Sequence, residues 1–263
     1  MKKITKLYAI PYYLWLGFFV ILPLVVLIFQ SLMTNHGFSI GNYIEFFTSD
    51  LYLKLTIKSL FYALIITFCS LIISYPLAYC LVKTKHRDLW LMLIILPTWI
   101  NLLMKVYAFM GILSQNGFFG HVMQMFGLAE SSLLFTTVGF IVVATYIEIP
   151  FMVLPIYTSL VNIPHELIQA SQDLGAKKWQ TFRYVVWPLS LSGVKSGVQA
   201  VYIPTLSMFM LTRLISGNKV ITLGTAIEQN FLVTHNWGIG ATIGVVLIIL
   251  MFIIMRLTQG RKK

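Results

Sequence analysis

Pro164-His-Glu-Leu-Ile-Gln-Ala-Ser-Gln-Asp-Leu-Gly-Ala-Lys-Lys-Trp-Gln-Thr-Phe-Arg-Tyr-Val-Val-Trp-Pro188 is a polar island between long apolar runs. Its punctuation predicts a helix, a bend and a second helix. Pro164 pre-sets helical φ in a first turn, Glu166 complements the helix N-terminus, and Leu167, Ile168, Ala170, Ser171 and Leu174 recur at helical spacing. Gly175 then stops the helix as a C′ glycine. From Lys177 the chain restarts as a short basic-aromatic helix with Lys178, Trp179, Phe182 and Arg183, and Trp187-Pro188 leads into the next apolar run. Such a stretch reads as a docking loop on a membrane surface.

The flanking sequence requires a bilayer. Of 263 residues 58% are apolar and 10% charged, whereas soluble chains carry about 25% charged residues. At roughly 20 residues per span, the apolar runs fall near Tyr8 to Leu32, Ser59 to Val82, Leu89 to Leu113, Leu133 to Leu160, Val185 to Leu211 and Ile239 to Leu257. They predict an all-α polytopic membrane protein with six transmembrane helices, folded as one domain over residues 1–263. The first run follows a basic Met1-Lys-Lys-Ile-Thr-Lys6 segment, but it is long and no small-x-small cleavage site follows, so an uncleaved span is expected.

Orientation follows from the excess of basic residues on cytoplasmic loops. With both termini inside, Lys2, Lys3, Lys6, Lys83, Lys85, Arg87, Lys177, Lys178, Arg183, Arg256, Arg261, Lys262 and Lys263 fall on or near the inner face, 13 of the 19 basic residues. The polar island is then cytoplasmic. The net charge of +11 is dispersed over four short segments rather than gathered into an aromatic-interleaved patch, which argues against nucleic-acid binding. Cys69 and Cys80 share the second span and have no metal-ligand spacing to any histidine, so no metal is expected. His36, His86, His121, His165 and His235 are scattered over loops. No phosphate loop, nucleophile elbow or metalloprotease helix occurs, so ATP and hydrolytic chemistry belong elsewhere. The outer segments, residues 33–58, 113–132 and 212–238, suit either docking of a soluble protein or plain connection.

Inside a bilayer an ionisable residue costs at least ~2.5 to 3.5 kcal/mol unless a cavity or partner receives it. Glu148 lies near the middle of the fourth span, Lys105 in the outer half of the third and Lys195 in the inner half of the fifth. Glu148 either offers a negative charge to a cationic solute or pairs with Lys105 or Lys195. Trp99, Asn101 and Tyr107 supply an aromatic face, an amide and a phenol, groups that hold a primary ammonium, although Trp99 equally suits interfacial packing. Tyr202, just before Pro204, is a further lining candidate, and six prolines in or beside spans can kink helices to open a cavity.

The spacing of Glu166, Ala170 and Gly175 ahead of Trp187-Pro188 resembles the EAA loop of ABC importer permeases, with Ser171 where that family usually has a second alanine. The resemblance implies a coupling loop over residues 162–187, with Glu166, Ala170, Ser171, Asp173, Gly175, Lys178, Trp179 and Phe182 meeting the ATPase. Pro97-Thr-Trp-Ile-Asn-Leu-Leu-Met-Lys-Val-Tyr-Ala108, Ile203-Pro-Thr-Leu206, Gly224-Thr-Ala-Ile-Glu-Gln-Asn-Phe-Leu232 and Asn236-Trp-Gly-Ile-Gly240 are similar to the PotB-type permeases of spermidine/putrescine importers. Lys105 stands where those permeases more often carry arginine, and Ser207-Met208 where they tend to carry glycine and an acid. The resemblance implies the MetI-like permease fold in a bacterial plasma membrane. It also implies a second permease of PotC type, an ABC ATPase dimer that uses ATP and Mg, and an extracytoplasmic polyamine-binding protein. This chain would be non-catalytic and bind no cofactor. Import of an anion, metal complex or amino acid by the same architecture is the alternative.

Overall fold

A computed structural model describes residues 10–34, 37–125 and 132–259. Lys2, Lys3, Lys6, Arg261, Lys262 and Lys263, which help to set the expected orientation, lie outside the described residues, as does His36. The chain is helical apart from a two-residue antiparallel hairpin, β1 (Met33–Thr34) with β2 (Gly37–Phe38). Helix α1 (Ile10–Ser31) precedes it; α2 (Gly41–Thr48) and the 34-residue α3 (Asp50–Lys83) follow. Next come α4 (Arg87–Ile95) with a 3₁₀ turn (Leu96–Trp99), α5 (Leu102–Leu113), α6 (Phe118–Met125) and α7 (Thr137–Val161). The polar island folds as α8 (His165–Asp173), α9 (Lys178–Thr181) and a π-helical turn (Phe182–Val186) that runs into α10 (Trp187–Leu206). Short α11 (Met210–Leu214) and α12 (Leu223–Leu232) lead to α13 (Trp237–Gln259).

Four helices, α1, α3, α7 and α13, are long and apolar enough to cross a membrane among the described residues. The expected third span is broken: the segments Arg87–Trp99 and Leu102–Val122 meet at 94°. Pro97 tightens the chain into the 3₁₀ turn, Ile100 is extended, and Asn101 restarts the helix by accepting the Leu103 N–H at 2.8 Å. The expected fifth span is the 20-residue α10, which is too polar to qualify on composition because Ser190, Ser192, Lys195, Ser196 and Gln199 interrupt its apolar face. Counting the bent pair as one span gives five among the described residues, and α10 stands where the remaining expected span lies. Helix α3 starts nine residues earlier than its apolar run, with Asp50 in its first turn and Lys54 an i+4 partner at 3.5 Å.

The contacts form two compact units. One holds the described chain up to Ile57 together with Ala226–Leu250. Within it α1 exposes its apolar side chains, as a lipid-facing helix does, and is fixed at its C-terminal end. There Thr242 donates to the Ser31 carbonyl at 3.2 Å, and Asn42 Nδ2 donates to the carbonyls of Ser31 (3.0 Å) and Met33 (2.8 Å).

The other unit holds Lys58–Thr225 and the described chain from Met251, and includes the polar island. Its spine is α7 packed along α10. Gly193 and Gly197, one turn apart on α10, make that approach possible: a Cβ at Gly193 would lie 2.4 Å from the Ser159 Cβ and 2.6 Å from the Pro155 carbonyl, and one at Gly197 2.7 Å from the Met152 sulfur. Gly193→Ala should therefore push the two helices apart and destabilise the folded chain by about 1–3 kcal/mol, the usual cost of overpacking. The check is thermal unfolding of the purified chain in detergent; an unchanged midpoint would mean that the seam is slack. Two apolar clusters flank the seam, one of Tyr75, Ala78 and Leu81 with Met152, Ile156, Val186 and Val201, the other of Ile66, Val106, Phe140, Ala144, Leu211 and Ile215.

Candidate functional site

Helix α8 opens at Pro164, which sits at the N-cap (φ −58°, ψ 130°) one position before the first-turn place expected for it. Glu166 lies in the first turn. After Asp173 and Leu174 the helix ends at Gly175, with φ +82°, a region where only glycine is unstrained. The Gly175 N–H donates to the Gln172 carbonyl at 2.8 Å and Ala176 N–H to Ser171 at 3.1 Å, which closes the helix end. The Ser171 hydroxyl hydrogen-bonds the buried Thr181 hydroxyl at 2.9 Å, so the bend is pinned across its mouth. Lys177 N–H donates to Gln180 Oε1 at 2.7 Å and starts α9.

An aromatic chain ties this loop to the spans. Trp179 stacks on Phe182 at 5.5 Å; Phe182 meets Tyr79 at 5.3 Å and Tyr75 at 6.0 Å; Tyr75 meets Trp187 at 4.9 Å. The Tyr75 hydroxyl shares a 2.9 Å hydrogen bond with Ser190 of α10, and Lys83 Nζ stands 3.8 Å over the Tyr79 ring. The π-helical turn Phe182–Val186 places Pro188 two residues beyond it, where a regular turn would drive the proline ring into the carbonyl four residues back. The outer side of the loop is uncovered: Leu174 is 89% exposed, and Leu167, Lys178, Trp179 and Tyr184 are exposed too. Apolar side chains held out this way are typical of surfaces that meet a protein or a membrane.

The second feature is a cavity of about 420 Å³ beside α7 and α10. Glu148, 4% exposed, borders it together with Lys105, Thr98, Phe151, Ala200, Pro204 and Ser207. Lys105 and Glu148 act on one another electrostatically, but among the described residues no direct ion pair joins Glu148 to Lys105 or to Lys195. Lys195 is exposed and does not border the cavity. Thr98 donates its hydroxyl proton to the Ile95 carbonyl (2.6 Å) and Ser207 to that of Pro204 (3.0 Å), so both present acceptor lone pairs to the space.

Of the five pathway candidates, the cavity gathers only Glu148. Trp99 (73% exposed) and Tyr107 stand exposed outside it. Asn101, expected to offer its amide to an ammonium group, is occupied as the cap of α5. The Tyr202 hydroxyl donates to the Leu60 carbonyl at 3.1 Å. Sequence reasoning missed Thr98, Phe151, Ala200 and Ser207, which resemble ordinary packing residues; the spacing of Phe151 from Glu148, and of Ala200 and Ser207 from Pro204, is the signal available for three of them, and Thr98 has none.

A scan against protein-family models finds no match. Several curated proteins are similar over nearly the whole length, two of them as follows. The spermidine/putrescine transport system permease protein PotB of Haemophilus influenzae is 31% identical, covering 97% of this chain and 92% of the relative. The PotB protein of Escherichia coli K12 is 34% identical, covering 90% of each. The bacterial alginate ABC transporter, solved in complex with an alginate pentasaccharide-bound periplasmic protein, contains a chain that superposes with a TM-score of 0.82 at 16% identity, covering 98% of this chain and 93% of that one. The identity and coverage set the family, and the superposition sets the fold: the chain belongs to the PotB family of permease subunits, non-catalytic membrane components of ABC importers.

Proposed function

We propose that this chain forms one half of the solute pathway of an ATP-driven importer for polyamines of the spermidine/putrescine class. The observation that carries the solute class is Glu148, a carboxylate buried at mid-span on a cavity whose hydroxyls present acceptors. A carboxylate and hydroxyl acceptors suit an ammonium group, and placing one there offsets the cost of a buried acid. A homologous second permease of PotC type completes the pathway, and an extracytoplasmic polyamine-binding protein delivers the solute. An ABC ATPase dimer receives the loop of residues 162–187 and supplies ATP and Mg chemistry. Both chain termini then lie in the cytoplasm of a bacterium, with the loop on the same side.

The coupling is mechanical. Closure of the ATPases displaces α8 and α9, and the contacting rings of Trp179, Phe182, Tyr79 and Tyr75 carry that displacement to α3 and α10. Because α10 borders the cavity through Ala200 and Pro204, its movement changes which side the cavity faces.

Lys105 supports a second reading. A cation and a carboxylate on one cavity also suit a solute that carries both charges, such as an amino acid. Labelled spermidine uptake in cells lacking this chain and in cells with it restored, the natural partner subunits present and other polyamine importers removed, separates the two. Polyamine import predicts loss and rescue of uptake, competed by putrescine and not by an amino-acid mixture or sulfate. Uptake that is unchanged by the deletion, or competed mainly by amino acids, removes the polyamine assignment.

A further inference from the structure

On the loop side of the Glu148 cavity, α7 and α10 border a second space, an open groove of about 730 Å³ that reaches Asn162 and Pro164, where the coupling loop begins. Phe151 and Ala200 border both spaces and form the neck between them. Glu148, Phe151, Pro155, Thr158 or Ser159, and Asn162 follow one helical face of α7, as Ser192, Ser196, Ala200 and Pro204 do on α10. The two faces therefore make one track from mid-membrane to the cytoplasmic loop.

The polar groups of that track are neutral and include several acceptors. Thr158 donates its hydroxyl proton to the Leu154 carbonyl (2.9 Å) and Ser196 to that of Ser192 (3.0 Å), while Ser159 and Ser192 share one hydrogen bond at 3.2 Å. The Thr158 and Ser196 protons and one proton of the Ser159–Ser192 pair are spent locally, and the remaining lone pairs are acceptors. The neck repeats the pattern in the backbone. Pro155 and Pro204 have no N–H, so the carbonyls of Phe151 and Ala200 lack the donor that an uninterrupted helix supplies four residues on. No charged side chain borders the second space.

We infer that the space below Phe151 is an inner binding site for an ammonium group of a linear polycationic solute, and that Phe151 is the steric gate through which the solute passes from the Glu148 cavity. The inference rests on the importer reading above for the direction of passage. The site offers a cation neutral hydroxyl and carbonyl acceptors and no carboxylate, so it binds more weakly than a carboxylate does and releases its cargo readily. An extended chain with ammonium groups spaced along it bridges both spaces at once, whereas a compact solute must leave one site before it enters the other.

Cysteine labelling tests this without requiring a solute. Inverted membrane vesicles carry the complete importer with Cys69→Ala and Cys80→Ala, and the membrane-impermeant trimethylammonium-ethyl methanethiosulfonate is added from the loop side. Ser196→Cys, below the neck, should react readily, and Ser207→Cys, above it, an order of magnitude more slowly. Phe151→Ala should raise the Ser207→Cys rate towards that of Ser196→Cys and leave the latter unchanged, with Phe151→Leu intermediate. A Ser207→Cys rate that ignores residue 151 overturns the gate. Ser196→Cys that is shielded in the importer but open in the chain expressed alone shows a groove covered by the second permease and overturns the site. Faster labelling of Ser196→Cys by the anionic sulfonate reagent than by the cationic one overturns the acceptor argument. Spermidine should slow Ser196→Cys labelling; if it does not while the Phe151 pattern holds, the polyamine assignment falls and the gate stands.

Discussion

Gly175→Asp is expected to abolish solute uptake while the chain still inserts, accumulates and assembles. The local cost of the substitution is small. An L-residue at φ +82° pays roughly 1–2 kcal/mol, and aspartate is among the residues that tolerate this conformation best. A Cβ there meets no atom within 4 Å, so nothing in the chain itself is displaced. What changes is the surface: a carboxylate now projects beside Leu174, the most exposed apolar side chain of the loop, where an apolar partner surface has to close over it. Uptake, membrane content of the chain and ATPase activity in the assembled complex are the three measurements. Gly175→Asn, with similar shape and no charge, should retain part of the uptake. Normal uptake by Gly175→Asp would remove the docking role of this loop.

Glu148→Gln carries the second large effect. The side chain keeps its volume and a carbonyl oxygen, so the cavity and its packing persist, but the charge that an ammonium group would meet is gone. Charge-assisted hydrogen bonds contribute about 1.5–3 kcal/mol, so polyamine uptake should weaken about tenfold to a hundredfold at limiting solute. ATP hydrolysis stimulated by the loaded binding protein should persist, because the loop and its aromatic chain are untouched. Glu148→Asp should recover part of the loss by restoring the charge about one methylene short. If Glu148→Gln instead prevents the chain from assembling, the carboxylate is structural, held through Lys105 across the cavity.

How much of this was legible in the sequence depends on whether the signal was local. Pro164, Gly175 and Pro188 act on their own few residues of backbone, so the helix, bend and helix of the loop could be read from their spacing. The spans were legible because lipid imposes length and apolarity on each helix separately. The break at Ile100 was not, since Pro97 is compatible with a kinked but continuous helix, and only the capping of α5 by Asn101 shows which outcome holds. Residues that face the cavity were the least legible. Trp99 and Tyr107 were chosen for their chemistry, but the direction of a side chain is set by how helices pack, and packing turned them away from the cavity. Phe151 and Ala200 have unremarkable chemistry and gain their place from position alone.

The π-helical turn at Phe182–Val186 has a consequence for which sequence changes this chain can tolerate. An α-helix advances about 100° per residue, and a π turn carries one residue more than the regular turn it replaces. That extra residue sets the angular phase between the ring pair Trp179 and Phe182 on one side and the Ser192, Ser196 and Ala200 face of α10 on the other. Substitutions within residues 182–186 alter individual contacts and leave the phase in place. A one-residue deletion swings the aromatic wedge by more than a quarter turn away from Tyr75 and Tyr79, so Arg183, Tyr184 and Val185 should vary across relatives while Phe182 and the length of the segment stay fixed.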